Sequence, residues 1–193
     1  MSNEHEMDNG VLDETAQGLA TYLYDRTAVS KVTARKPLLR SPPEGLDKES
    51  VRTLVAGVGT EEVHTALANI AETAGKKDTY LYDASIMTKH YAEIDALLED
   101  KDMLRTIATV TRSDSRLYPR PTQFSKLMNT PFRFSMDEIL GAAARMKGDE
   151  EYQDIGVVTA SNGKSAFFSD KFLSRKYAQS LIQQIEVDDP ENP

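Results

Sequence analysis

Cysteine and tryptophan are both absent from this chain of 193 residues. Without cysteine there is no disulfide, no catalytic thiolate, no CxxC redox motif and no thiolate-bound zinc or iron–sulfur cluster. Aromatic residues make up only 7% of the chain, and apolar residues make up 39%. No apolar run approaches the roughly 18–20 residues that a membrane-spanning helix needs. These absences exclude thiol and cluster chemistry and predict a globular protein.

The two ends of the chain are polar and acidic. Residues 1–10 contain neither the basic segment nor the apolar core of a signal peptide, so we expect a disordered lead there and a cytoplasmic location. Residues 188–193 form an acidic tail that contains two prolines. Neither end predicts a targeting or membrane-binding function.

The chain also lacks the motifs of common enzyme classes. Neither GxxxxGK[ST] nor GxGxxG occurs, so no nucleotide-binding loop is predicted, and no GxSxG elbow presents a serine nucleophile. Glu61 and His64 have the Glu-x-x-His spacing of di-iron bundles, but such sites need two of these motifs. The nearest second pair, His90 and Glu93, has the reverse order. We therefore predict no metal site, no cofactor and no catalytic set.

Hydrophobic spacing predicts an α+β fold that is predominantly helical, with five to seven helices and one hairpin. We expect a helical domain over residues 11–118, in which residues 61–74 form one of the helices because their apolar positions follow helical spacing. The helical spacing is lost at the Tyr-Pro-Arg-Pro sequence near Pro119, which indicates the boundary to a second part of the chain. We find no internal repeat in the sequence.

The sequence pattern over residues 119–187 predicts a helix–hairpin–helix module. Ser135 and Glu138 have the spacing of a capping box, which starts a helix. Asn162 and Gly163 then separate two short β-rich runs, and an Asn-Gly pair in that position is the strongest short-range signal of a hairpin. Ser174 is placed to cap the final helix.

Positive charge is concentrated in one stretch of an otherwise acidic chain. The formal net charge of the chain is −8, whereas residues 103–133 carry about +5. Aromatic residues alternate with the arginines there, and arginine, tyrosine and phenylalanine are enriched at the centres of protein interfaces. We predict a protein-docking surface formed by Arg112, Arg116, Tyr118, Arg120, Phe124, Lys126 and Arg133.

Two other interpretations of these features stay open. The basic and aromatic stretch is also typical of a stacking platform for single-stranded nucleic acid, or of a surface segment whose aromatic residues anchor it to the core. The hairpin is placed like the wing of a winged-helix module, with Asn162 and Lys164 as the contacts to DNA. Acidic residues between positions 149 and 154 would then face the DNA backbone with like charge.

Three segments resemble a known family. They are residues 82–91, the Arg-Pro-Thr sequence at 120–122, and the region from Tyr152 to Asp170 with its Ser-Asn-Gly turn. Over roughly residues 80–186 the chain is similar to the YdhW-like small bacterial proteins. The resemblance implies an accessory of oxidoreductase systems that holds no cluster itself, and it transfers no catalytic residue.

The leading hypothesis is a non-enzymatic cytoplasmic accessory or adaptor protein. It would dock a larger complex, which the resemblance implies to be an oxidoreductase, through the basic and aromatic surface. One alternative is a winged-helix-like transcriptional regulator that binds DNA. The other is an enzyme whose acid–base site the sequence does not locate.

Overall fold

A computed structural model describes residues 9–189 of the chain, which folds as two compact units, Met1–Lys101 and Asp102–Pro193. The sequence placed this boundary at residue 118, after the basic helix. The structure places it before that helix, because the helix packs on the sheet of the second unit. The predicted lead and tail lie largely outside the described residues, although Asn9 already belongs to the first helix.

The first unit is a small antiparallel sheet covered by helices. Its three strands have the order β1-β3-β2. Its main core cluster joins the first and third helices to the central strand through buried aliphatic side chains such as Leu19, Val51 and Leu81. The elements are α1 (Asn9–Ala28), β1 (Thr33–Ala34), α2 (Arg35–Arg40), α3 (Lys48–Gly57), a 3-10 turn (Thr65–Leu67), β2 (Ile70–Ala74), β3 (Thr79–Asp83) and α4 (Lys89–Glu99).

The second unit is built in the same way. Its strands have the order β4-β6-β5, and the buried ring of Phe167 on the central strand packs with Ile107 and Ile139 from two helices. The elements are α5 (Met103–Leu117), β4 (Thr122–Gln123), α6 (Phe124–Met128), α7 (Met136–Met146), a 3-10 turn (Glu150–Tyr152), β5 (Ile155–Thr159), β6 (Ser165–Ser169), α8 (Arg175–Gln183) and a π-helical turn (Gln184–Asp188).

The predominantly helical α+β class is confirmed, and so is the helix–hairpin–helix order of α7, β5, β6 and α8. The capping box of Ser135 and Glu138 forms as predicted. The helix predicted over residues 61–74 is wrong. Its last five residues, 70–74, form strand β2, because pairing with β3 outweighs the helical spacing of the apolar side chains. The described residues therefore contain a hairpin in each unit and eight α-helices.

The two sheets have the same register. Thr33 of β1 lies opposite Leu81 of β3, and Thr122 of β4 lies opposite Phe167 of β6. In each unit the longer ladder pairs five residues of the second strand with five of the third, in antiparallel order. Because a one-residue slip would turn every side chain to the other face, an identical register is a specific feature of both units.

Matching hydrogen bonds join the first helix of each unit to the end of its central strand. The hydroxyl of Thr27 accepts from the N–H of Asp83 at 3.0 Å. The hydroxyl of Ser115 accepts from the N–H of Ser169 at 3.1 Å. The same element order, sheet order, register and tether together show an internal structural repeat, which the sequence analysis missed.

Candidate docking surface

Helix α5 decides which part of the basic stretch reaches the surface. Asp102 caps the helix, and the apolar face with Ile107 packs into the core of the second unit. The last turn leaves that core, so that 54% of Leu117 and 63% of Tyr118 are exposed. Their apolar exposure at a helix end is the first component of a candidate docking surface.

Two arginines flank these apolar residues. Arg116 is exposed, and the guanidinium of the exposed Arg120 lies 5.2 Å from the ring centroid of Tyr118. A cation over the face of a tyrosine ring is attracted by the ring quadrupole. We call the exposed residues Arg116, Leu117, Tyr118 and Arg120 the α5-end surface. The sequence prediction included all of them except Leu117, whose position at the end of the amphipathic helix was the available signal.

Phe124 does not belong to this surface. The side chain is buried at the start of α6, and its ring centroid lies 4.7 Å from that of Phe167. The aromatic ring therefore anchors the segment to the sheet, which is the structural role considered for the aromatic residues of this stretch. It cannot contact a partner without unfolding of α6.

The partly exposed Arg112 forms an ion pair with the buried Asp154 within the second unit. Its Nη2 lies 2.6 Å from Oδ1 of Asp154 and its Nε lies 3.0 Å from Oδ2. The Nη2 also donates to the carbonyl of Glu151 at 2.7 Å, while Oδ2 of Asp154 accepts from the hydroxyl of Ser169 at 2.7 Å. The hydrogen bonds from Arg112 are the largest cause that holds the pKa of Asp154 well below its usual range, and the bond from Ser169 lowers it further. Arg112 therefore stabilises the fold.

The remaining predicted cations, Lys126 and Arg133, do not belong to the α5-end surface. Lys126 Nζ lies 2.7 Å from Oδ2 of buried Asp114, which also accepts from the hydroxyl of Thr122 at 2.8 Å. Arg133 is exposed in the segment that leads to α7, and its Nε donates to the hydroxyl of Thr130 at 3.4 Å. The structure thus divides the seven predicted residues into three groups: an exposed group at the end of α5, the residues Arg112, Phe124 and Lys126 that bind within the fold, and Arg133, which is exposed in another segment.

The hairpin tip is bound to the end of the last helix. Lys164 Nζ lies 2.8 Å from Oε2 of Glu186, and Asn162 Nδ2 donates to the Glu186 carbonyl at 2.9 Å. The ion pair with Lys164 is the largest cause of the lowered pKa of Glu186. A phosphate group would have to compete with this carboxylate for Lys164.

The histidine and carboxylate pairs do not assemble into a metal site. Nε2 of His64 lies 2.9 Å from Oδ1 of Asp13, and its Nδ1 accepts from the N–H of Ala66. Among residues 9–189 no three histidine or carboxylate side chains are grouped so that they could hold a metal ion. No helix in that part of the chain is long and apolar enough to cross a membrane.

Two comparisons with known proteins find relatives. The family model described as YdhW C-terminal domain matches residues 101–190, which correspond to the second unit. Over 189 residues the chain is 31% identical to the uncharacterized protein YdhW of Escherichia coli (strain K12). The aligned region covers 98% of this chain and 86% of that protein. No solved structure matches. The chain therefore belongs to the YdhW family.

Proposed function

We propose that this protein is a non-enzymatic cytoplasmic accessory protein that docks a larger complex through the α5-end surface. The observation that carries the proposal is the exposure of Leu117 and Tyr118 between Arg116 and Arg120. Tyrosine and arginine are the side chains that most often dominate the free energy of protein association. An apolar centre with a positive rim is the composition of a docking site for another protein.

The local backbone reduces the entropic cost of docking. Pro119 and Pro121 restrict the chain on both sides of Arg120, and the Tyr118 N–H is bonded to the Asp114 carbonyl at 3.1 Å. A segment that is already ordered loses less conformational freedom when it binds. The α5-end surface is therefore suited to a contact in which few side chains must be immobilised.

The chemistry of the surface defines the partner. Two exposed arginines favour an acidic patch on the partner, and Leu117 and Tyr118 favour an apolar pocket at its centre. The resemblance to YdhW-like proteins suggests that the partner is an oxidoreductase or a protein of its maturation.

The test is retention of the partner by a charge-reversed variant. Tagged wild-type chain and the double variant Arg116→Glu with Arg120→Glu are purified from cells of the native host at low and high salt, and bound proteins are quantified by mass spectrometry. We expect the variant to lose the partner while its thermal unfolding stays unchanged. The double variant Arg105→Glu with Arg133→Glu has the same change of charge at exposed positions and should retain the partner. Equal retention by both variants would contradict the proposal.

The same preparations test the two alternatives. A winged-helix regulator would retain nucleic acid, measured by absorbance at 260 nm and lost at high salt, and Lys164→Glu would reduce it. An enzyme would need an accessible acid or base with a shifted pKa. Asp95 and Asp154 are the two most buried carboxylates with shifted pKa values. Asp95 accepts from the main-chain N–H of Val32, and Asp154 is paired with Arg112, so both already have partners within the fold. We therefore favour docking over catalysis.

A further inference from the structure

Both units repeat one turn after the central strand. In the first unit the N–H of Ile86 donates to the carbonyl of Asp83 at 3.2 Å. In the second unit the N–H of Phe172 donates to the carbonyl of Ser169 at 3.1 Å. Because Asp83 and Ser169 end their strands at the same register position, Ile86 and Phe172 occupy equivalent places.

The helix after the turn is also capped in the same way. The hydroxyl of Thr88 accepts from the N–H of Tyr91 at 3.4 Å, and the hydroxyl of Ser174 accepts from the N–H of Tyr177 at 3.3 Å. The two tyrosines therefore lie in the first turn of α4 and α8 at the same position. Residues 86–91 and 172–177 are structural equivalents throughout.

Each equivalent segment exposes two large apolar side chains. The exposed fractions are 41% for Ile86 and 65% for Tyr91, and 46% for Phe172 and 53% for Tyr177. Packing does not require them, because neighbouring residues of each segment already fill the core. Those buried residues are Met87, Ala92, Leu173 and Ala178. Exposed apolar side chains at matched positions of two diverged units indicate a shared function rather than a shared core.

The same segments carry positive charge where the fold does not favour it. Lys89 is the first helical residue of α4, and Arg175 and Lys176 are the first two of α8. The helix dipole favours acidic residues at this end, as Glu49 in the first turn of α3 illustrates, and disfavours cations. Neither α4 nor α8 has an acidic residue in its first turn. Arg175 serves the fold, because it donates to the carbonyl of Val157 at 3.0 Å and lies 5.2 Å from the ring centroid of Phe168. The exposed Lys89 and Lys176 supply one cation to each segment that fold stability does not explain.

We infer that each unit carries a docking surface for an acidic protein segment with an apolar anchor, so that one chain binds two such segments. The surfaces, which we call the turn–helix surfaces, are residues 86–91 and residues 172–177. Their exposed aliphatic and aromatic side chains accept the anchor, and their cations pair with the acidic flanks. Neither turn–helix surface contains an arginine of the α5-end surface.

The experiment uses a peptide probe of this chemistry and the full chain. The probe is acetyl-Asp-Glu-Phe-Leu-Glu-Asp-amide, and the control peptide replaces Phe-Leu by Gly-Ser at the same charge. Each is titrated into ¹⁵N-labelled protein at low salt and followed by amide chemical shifts. We expect the probe to shift residues 84–91 and 170–177 in parallel. We also expect the control peptide to bind at least about tenfold more weakly, because the apolar anchor is missing.

Paired variants test each unit separately. Ile86→Ser with Tyr91→Ser should remove the shifts in the first unit and leave those in the second, and Phe172→Ser with Tyr177→Ser should do the reverse. These residues are exposed, and the amide spectrum of the unaltered unit reports folding in the same sample. Shifts in one unit only, shifts elsewhere, equal binding of the control peptide, or no binding would overturn the inference. Arg116→Glu with Arg120→Glu should bind the probe normally, which separates this result from the proposed docking function.

Discussion

The two units build the same fold with different buried charges. Asp154 of the second unit is buried and paired with Arg112, whereas the equivalent residue of the first unit is the exposed Asn69. The equivalence follows from one main-chain bond in each unit. The carbonyls of Asn69 and Asp154 accept at 2.8 Å from Ala84 and Asp170, respectively. The fold therefore requires the carbonyl at this position but not the carboxylate.

The first unit contains a buried carboxylate that the second unit lacks. Oδ2 of Asp95 in α4 accepts from the N–H of Val32 at 2.7 Å. The residue before β4 is Pro121, which has no N–H, and α8 carries Leu181 at the position of Asp95. The comparison shows that a buried acceptor is present where there is a buried donor to satisfy and is replaced by an apolar side chain where proline removes the donor.

A carboxylate near the end of the last helix is common to both units. Asp100 follows α4 and accepts from the N–H groups of Lys76 and Lys77 in the turn between β2 and β3. Glu186 follows α8 and is bound by Lys164 of the turn between β5 and β6. Each unit thus ties its hairpin turn to its last helix. The carboxylate binds main-chain N–H groups in the first unit and the Lys164 side chain in the second, and in each unit a side chain of the turn, Lys77 or Asn162, donates to the carbonyl of the same residue.

We expect the largest effect from removal of the buried charge of the second unit. Asp154→Ala leaves the Ser169 hydroxyl without its acceptor and Arg112 with only the Glu151 carbonyl. Because Arg112 is partly exposed, we expect the free energy of unfolding to fall by about 3 kcal/mol, the lower end of the range for a broken buried pair. Asn69→Ala changes the equivalent exposed position and should cost less than about 0.5 kcal/mol. Urea unfolding followed by residue-resolved amide exchange measures both. Similar losses of unfolding free energy for the two variants would show that the ion pair between Arg112 and Asp154 contributes little to stability.

Asp95 gives the next largest effect. Asp95→Ala leaves the buried N–H of Val32 unsatisfied and should lower the free energy of unfolding by about 1–3 kcal/mol. Asp95→Asn keeps an acceptor oxygen and removes the buried charge, so its stability at pH 7 should equal or exceed that of the wild type. The same urea experiment measures both variants. A loss for Asp95→Asn as large as for Asp95→Ala would mean that the charge itself is needed.

The sequence predicted the second unit better than the first, and the reason is local chemistry. Ser135 with Glu138 and Asn162 with Gly163 are signals that a few adjacent residues encode. The turn between β2 and β3 has no Asn-Gly pair, and β2 follows helical spacing. Its strand is decided by pairing with β3, a contact that the local sequence does not contain.

The candidate site was predicted only in part, for a related reason. Arg116, Tyr118 and Arg120 are exposed because the helix ends there, and helix ends can be read from sequence. Arg112 and Phe124 have partners about forty residues away, at Asp154 and Phe167. No local pattern separates an arginine with a buried partner from an exposed one. The repeat was missed because side-chain identity diverged at most positions while the register was retained.

The two buried aspartates should titrate on opposite sides of the ordinary value. Burial raises the pKa of Asp95, so stability should fall as pH rises through the range between its ordinary and its raised pKa. The Arg112 hydrogen bonds lower the pKa of Asp154, so its contribution should be present above the ordinary pKa and lost as pH falls through the lowered one. Carboxyl ¹³C shifts measured between acidic and neutral pH test both directions. A common midpoint would contradict this contrast.

The smallest effect is expected where the tie between hairpin turn and helix is exposed. Lys164→Ala removes an ion pair whose lysine is largely in solvent, so the free energy of unfolding should fall by only about 0.2–1 kcal/mol. Lys77→Ala keeps the main-chain donor to the Asp100 carboxylate and removes the bond from Lys77 Nζ to the Asp100 carbonyl at 2.7 Å, so its cost should be of similar size. Asn162 still donates to the Glu186 carbonyl in the Lys164 variant, so amide exchange of the turn should stay slow. A loss above about 2 kcal/mol would mean that Glu186 depends on Lys164 as strongly as Asp154 depends on Arg112. The second unit would then depend on two ion pairs, Arg112 with Asp154 and Lys164 with Glu186, for its stability.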